Sequence, residues 1–279
     1  MDMKIVFFGT GNYALSIIGA LKKEFELTIF TTAKEKQDPL IKYCLENKIS
    51  CLSFSSFLDK DIMNKLRKTK ADLAVVVSFR WLLPKEILDL FPKGVLNVHP
   101  SLLPRYRGAT PGQSAVLNND KKTGVSIIKL DEKIDHGPIL WQKEEEIQAN
   151  DTAESLYLRL FKLAANSITD VIKRYLKGDL IPIAQDDKKA TYVKTLTRKS
   201  VYIDPTKPPS PEILNRMIRA YYPWPGVWTR LHLSYGGQAK IVKFLPNKMI
   251  QVEGKKPISY KDFENGYPMV YNEFEKIFK

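Results

Sequence analysis

Short apolar runs alternate with amphipathic stretches through the first half of the chain. Lys4–Phe8 reads as a strand, Tyr13–Phe25 as a helix, Leu27–Phe30 as a strand and Pro39–Glu46 as a helix. Ser55–Arg67 follows as a helix, and Ala71–Phe79, rich in valine and interrupted by Asp72, as a buried strand. Val95–Val98 and Gly124–Leu130 are further strands. Runs this apolar, separated by helices, predict a mostly parallel sheet covered on both faces. Asp151 opens a long helix, with Glu154 three residues on at capping-box spacing. Its apolar stripe comprises Leu156, Leu158, Leu160, Phe161, Ala164, Ile168, Val171 and Ile172, and it closes at Gly178.

Beyond Ile181 the periodicity fades. Lysines at 188, 189, 194 and 199 and the stretch PTKPPSP (205–211) suit neither a helix nor a central strand. The predicted division is a catalytic α/β domain over 1–187, a basic, proline-containing linker over 188–209, and a small domain over 210–279. Ser210 and Pro211 open a short helix through Ala220. Ala239–Phe244 and Met249–Val252 then read as strands with no helix-sized crossover, hence a small, mostly β unit.

With 279 residues, 44% apolar and 27% charged, the chain is neither disordered nor fibrous. No apolar run approaches a membrane span, and MDMKIVFFGTGNY lacks the cleavage site of a signal peptide, so a cytoplasmic protein is expected. Two cysteines, Cys44 and Cys51, are too few for a disulfide framework or a Cys-rich zinc site, and none of the three histidines has HExxH spacing. The net charge of +13 is unevenly spread: from Lys188 onward 17 basic and 7 acidic residues leave +10. Such a surface suits a polyanion, although a lysine-rich solvated surface has the same composition.

Gly9-Thr10-Gly11-Asn12-Tyr13-Ala14 has the GxGxxA spacing of a dinucleotide turn. The second strand ends Phe30-Thr31-Thr32 without the acid that would hold a ribose, so a structural turn beside the crevice is expected instead. The densest polar signal is NVHPSLLPRYRG (97–108), at the carboxyl end of an apolar strand where open α/β sheets place their ligands. Asn97 and His99 share one side of that strand, about 7 Å apart. Asp135, in DEKIDHGP (131–138) after the next strand, is placed to orient His99. An amide, an imidazole and a carboxylate, with no serine on a nucleophile elbow, suit direct transfer at a carbonyl carbon; a capped strand with a satisfied histidine is the alternative.

These segments resemble the 10-formyltetrahydrofolate-dependent formyltransferases. FFGTGNYAL (7–15), VVVSFRWLLPKEIL (75–88), NVHPSLLPRYRGATP (97–111), TGVSIIKLDEKIDHGPIL (123–140) and IRAYYPWPGVWT (218–229) carry the likeness. It implies a Rossmann-like formyltransferase domain followed by an OB-like β domain, here abbreviated. Asn97, His99 and Asp135 match the catalytic trio, with 10-formyltetrahydrofolate as co-substrate and no metal. Val77, Phe79, Leu83, Ser101, Leu102, Leu103, Pro104 and Ile134 are implied at the folate pocket, and Arg105, Arg107, Lys34 and Lys36 at the acceptor.

The late GKKPISYKDFENG (254–266) and the basic tail lean toward methionyl-tRNA formyltransferases, hence toward initiator methionyl-tRNA as partner and a monomer. Two departures keep an amino-sugar nucleotide open as acceptor. The loop after the second strand is short (TTAKEKQDP, 31–39), and the terminal β domain lacks strands. A non-catalytic RNA-binding module on the same fold is a third reading.

Overall fold

The computed structural model of the chain describes residues 3–35, 37–233 and 237–273. In chain order the elements are β1 (Lys4–Gly9), α1 (Tyr13–Leu21), β2 (Glu26–Thr31), α2 (Pro39–Glu46), β3 (Ser50–Ser53), α3 (Lys60–Lys68), β4 (Leu73–Val77) and α4 (Lys85–Leu88). There follow β5 (Val95–His99), β6 (Arg107–Gly108), α5 (Pro111–Leu117), β7 (Lys122–Lys129), β8 (Ile139–Glu146), α6 (Ala153–Ala165), α7 (Ile168–Lys177) and β9 (Tyr192–Val193). The chain then runs through α8 (Pro211–Ala220), β10 (Trp228–Leu231), β11 (Lys240–Leu245), β12 (Met249–Val252), β13 (Ile258–Ser259), α9 (Tyr260–Gly266) and α10 (Pro268–Glu273). Two compact units result. One comprises 1–109, 123–145 and 157–193; the other comprises 110–122, 146–156 and 194–279.

The first unit is built on a seven-stranded sheet, ordered β3-β2-β1-β4-β5-β7-β8. β3, β2, β1, β4 and β5 run parallel, and β7 pairs with β5 antiparallel. β1 and β4 are apolar on both faces because helices cover both faces, so neither strand alternates. The chain winds outward from β1 to β3 and then crosses back to β4, so the order reverses between β1 and β4. Ligand crevices form outside the carboxyl ends of strands at such reversals. There Gly9 lies against Val77, where a Cβ would meet the Val77 carbonyl at 2.9 Å. Thr10 Oγ1 donates to the Ser78 carbonyl at 2.6 Å, so the GxGxxA segment fastens β1 to the turn after β4.

Several elements depart from their expected bounds for local reasons. α3 starts at Lys60 rather than Ser55, because Asp59 Oδ1 accepts from the amides of Asp61 and Ile62. The helix expected from Asp151 to Gly178 is two helices. Its reciprocal cap is formed by Thr152 and Ser155, each accepting the other's amide proton, while Asp151 accepts from Gln148 N and Ser155 Oγ. It breaks at Asn166–Ser167, where Ser167 Oγ bonds back to the Leu163 carbonyl at 3.5 Å. Leu158, expected in the buried stripe, is 53% exposed.

In the second unit α5 packs against α8, whose cap is Ser210 Oγ accepting from Ile213 N. An antiparallel sheet, ordered β10-β11-β12-β13, and α9 complete a small β unit. The stretch read as linker is packed at two places. Tyr192–Val193 pairs with Arg107–Gly108, and Val201 and Ile203 are buried, with Ile203 N donating to the Trp228 carbonyl at 2.9 Å. Among the described residues no helix is long and apolar enough to cross a membrane.

Candidate active site

β5 delivers two polar side chains to its carboxyl end. Asn97 lies opposite Ile128 and His99 opposite Ser126 of β7, and the two-residue spacing points both the same way. Asp135 arrives from the loop after β7 and meets them. Asn97 Nδ2 donates to Asp135 Oδ1 at 3.0 Å, and the Gly108 amide donates to Asp135 Oδ2 at 2.8 Å. The same Oδ2 lies 3.5 Å from His99 Nδ1. The other ring nitrogen, Nε2, is 2.9 Å from the Tyr106 carbonyl. A carbonyl oxygen can only accept, so Nε2 carries a hydrogen. Nδ1 is therefore the nitrogen beside the carboxylate.

The loop following β5 is held from inside. Ser101 Oγ donates to the Arg105 carbonyl at 2.7 Å, Ser126 Oγ donates to the Ser101 carbonyl at 2.7 Å, and Gln142 Nε2 donates to the Leu103 carbonyl at 3.0 Å. The Leu103–Pro104 bond is cis. Tyr106 and Asp135 are in the left-handed region, with φ of 61° and 46°. Gly108 has φ +114°, and a Cβ there would meet the Val193 carbonyl at 2.5 Å, so only glycine lets β6 and β9 approach. Taken as chemistry, the cluster holds a fixed carboxylate, an amide with a second N–H, and an imidazole with one nitrogen beside the carboxylate.

Residues 3–172 match a family described as formyl transferase. The chain belongs to the formyl transferase family. It is 36% identical over 239 residues to a methionyl-tRNA formyltransferase of Fusobacterium nucleatum, an alignment spanning 82% of this chain and 76% of that protein. A methionyl-tRNA formyltransferase of Akkermansia muciniphila is 35% identical over 264 residues, 91% of this chain and 83% of that one. Among solved structures, a 4-N formyltransferase from Francisella tularensis superposes with a TM-score of 0.69 at 20% identity, covering 88% of this chain and 98% of that one. Glycinamide ribonucleotide transformylase 1 from Symbiobacterium toebii superposes with a TM-score of 0.58 at 19% identity, covering 66% and 95%. These two likenesses establish the fold.

For this formyl transferase family member the remaining expected site residues divide by exposure. Val77, Leu83, Ser101 and Leu103 are buried, and the Ser101 hydroxyl is taken up within its own loop. Phe79 packs with Phe8, Phe54, Phe57 and Trp81. Leu102 and Pro104 are half-buried, and Ile134 is exposed. Lys34 is exposed in the loop after β2, and Lys36 lies outside the described residues.

Arg105 is exposed, and its Nη2 donates to the Tyr106 hydroxyl at 3.0 Å. Arg107, expected at the acceptor, does something else. It is 1% exposed and its guanidinium bonds Gln185, Asp187 and Tyr192, so its hydrogens are committed to partners within the chain. In return the Arg107 guanidinium holds the Asp187 carboxyl below the usual carboxylate range. Pattern reading also missed the stretch 185–193, which bonds to the loops that carry Tyr106, Arg107 and Asp135. Thr191 alone bonds the Tyr106 amide through its Oγ1 and the Arg107 amide through its carbonyl. A single amide and a threonine among lysines carry no periodicity, so nothing in the sequence pattern marked them.

Proposed function

We propose that this protein transfers the formyl group of 10-formyltetrahydrofolate to the amino group of initiator methionyl-tRNA. The convergence of Asn97, His99 and Asp135 at the carboxyl end of β5 carries this reading. The acceptor rests on the methionyl-tRNA formyltransferases that resemble the chain over most of its length. A tRNA acceptor puts the reaction in the cytoplasm, where initiation begins.

As the acceptor amine attacks the formyl carbon, a C–N bond forms and the carbonyl electron pair moves onto oxygen. Asn97 has one N–H committed to Asp135, and its second donates to that developing oxyanion. The attacking nitrogen sheds a proton. His99 Nδ1 receives it, and the resulting imidazolium is held beside the oxyanion by the Asp135 carboxylate. Collapse restores the carbonyl, breaks the bond to the folate nitrogen, and returns the proton to that nitrogen. The products are an N-formyl amine and the deformylated folate.

The acceptor is tested by offering 10-formyltetrahydrofolate with charged initiator tRNA and, in parallel, with 4-amino-4-deoxy-sugar nucleotides. Formyl-methionyl-tRNA is the expected product. Transfer to the sugars alone would overturn the tRNA acceptor in favour of the sugar reading that the short loop after β2 suggests. Salt-dependent RNA binding with no transfer to either would point to a non-catalytic module.

A further inference from the structure

Asp135 is held in place at its backbone as well as its carboxylate. Gln185 Nε2 donates to the carbonyls of Asp135 at 2.8 Å and Gly137 at 2.7 Å, straddling the residue between them. Those carbonyls belong to a loop in which Asp135 has φ 46°, a conformation seldom adopted by residues other than glycine. The Gln185 amide has one orientation available. Its Oε1 accepts from Arg107 Nε at 3.1 Å and Nη2 at 2.9 Å, so exchanging oxygen and nitrogen would set donors against a guanidinium and an acceptor against two carbonyls.

Arg107 is itself pinned, through Nη2 to Asp187 Oδ1 at 2.8 Å and Nη1 to the Tyr192 hydroxyl at 3.1 Å. The other Asp187 oxygen lies 3.3 Å from His136 Nε2, and His136 Nδ1 bonds Asp131 Oδ2 at 2.5 Å. The chain of contacts thus leaves the 131–137 loop at Asp135 and returns to it at His136 and Asp131.

We propose that Gln185, oriented by the buried Arg107, is a positioning residue that sets the Asp135 backbone so that its carboxylate faces Asn97 and His99. This rests on the reading of Asp135 as part of the catalytic trio. Arg107 alone does not touch the loop carbonyls; Gln185 does. A purely structural role would be to give the buried guanidinium an acceptor, and that role needs no N–H.

Two variants separate these roles. Gln185→Glu keeps acceptors for Arg107 but has no N–H for the loop carbonyls, whereas Gln185→Met has neither. Both are expected to lower kcat about tenfold or more, with the KM values for 10-formyltetrahydrofolate and charged tRNA within about twofold, as displacement of a reacting group does. Amide hydrogen exchange across 131–137 is expected to quicken in both. A Glu variant with unchanged kcat and exchange would overturn the proposal, even where the Met variant fails to fold.

A double-mutant cycle with Asp135→Ala fixes the route. If Gln185 acts through Asp135, adding Gln185→Glu to that background costs no further turnover, and an undiminished second loss would overturn the proposal. Should Asp135→Ala alone leave turnover intact, the catalytic reading fails and the positioning role falls with it. Exchange measured without substrate would still report whether Gln185 holds the loop.

Discussion

His99 faces an acceptor at each ring nitrogen, the Tyr106 carbonyl at Nε2 and the Asp135 carboxylate at Nδ1. The first fixes the ring's orientation, and the proposed mechanism assigns proton transfer to the second, so the two halves of the imidazole are given separate duties. Replacing His99 by Ala is expected to lower single-turnover formyl transfer roughly 100-fold or more, with the far-UV circular dichroism unchanged. Wild-type turnover in that variant would remove the acid–base account. Asn97 and His99 were readable in the sequence because strand spacing alone puts them on one side, and Asp135 because its loop follows the neighbouring strand. Arg107 was not. Its charge argues for an exposed side chain, and only the fold reveals that Gln185, Asp187 and Tyr192 cover it just beneath the surface.

Among elements, the two-residue pairing of β6 with β9 is short, yet it brings the Gly108 amide onto Asp135 and lays 191–193 along the site. Gly108→Ala places a Cβ against the Val193 carbonyl at a backbone angle alanine avoids, a strain of about 1–3 kcal/mol. The expected outcome is a Tm lower by about 3 °C or more together with reduced kcat, read by thermal melting and initial rates. An unshifted melt would mean the two segments part without cost. The central strands were legible because both faces are apolar, whereas β3 and β8 were not. Both lie at sheet edges, and SCLS and ILWQKEEE carry the polar positions that edges tolerate, which masks their strand character. The helix ending at Ala220 and the strand at Met249–Val252 were readable for the opposite reason: a Ser-Pro start and an apolar alternation are local signals.

For the whole molecule, charge is the property that composition and fold share. The excess of +10 after Lys188 falls mostly within the second unit, where Lys194, Arg198, Lys199, Arg230, Lys240, Lys243 and Lys248 are all exposed. With tRNA as the acceptor, the KM for charged tRNA is expected to climb about tenfold or more between 50 and 200 mM salt, as phosphate contacts are lost. The KM for the folate donor should stay within about twofold over the same range. Equal sensitivity of both would place the salt effect in the catalytic unit instead. The units themselves were only partly legible. α5 and 146–156 join the later part of the chain in space, an interleaving that no linear reading of composition reveals.

The pairing at Tyr192–Val193 also bears on where the chain can be cut. A fragment ending at Asp187, where the lysine-rich stretch begins, keeps Asn97, His99, Asp135 and Gln185 but forfeits Thr191, Tyr192 and Val193. The Tyr106 and Arg107 amides then lose their acceptors, and the buried guanidinium loses a hydroxyl. A cut there therefore strips acceptors from the loop that carries Tyr106 and Arg107 even though Asn97, His99 and Asp135 are all retained.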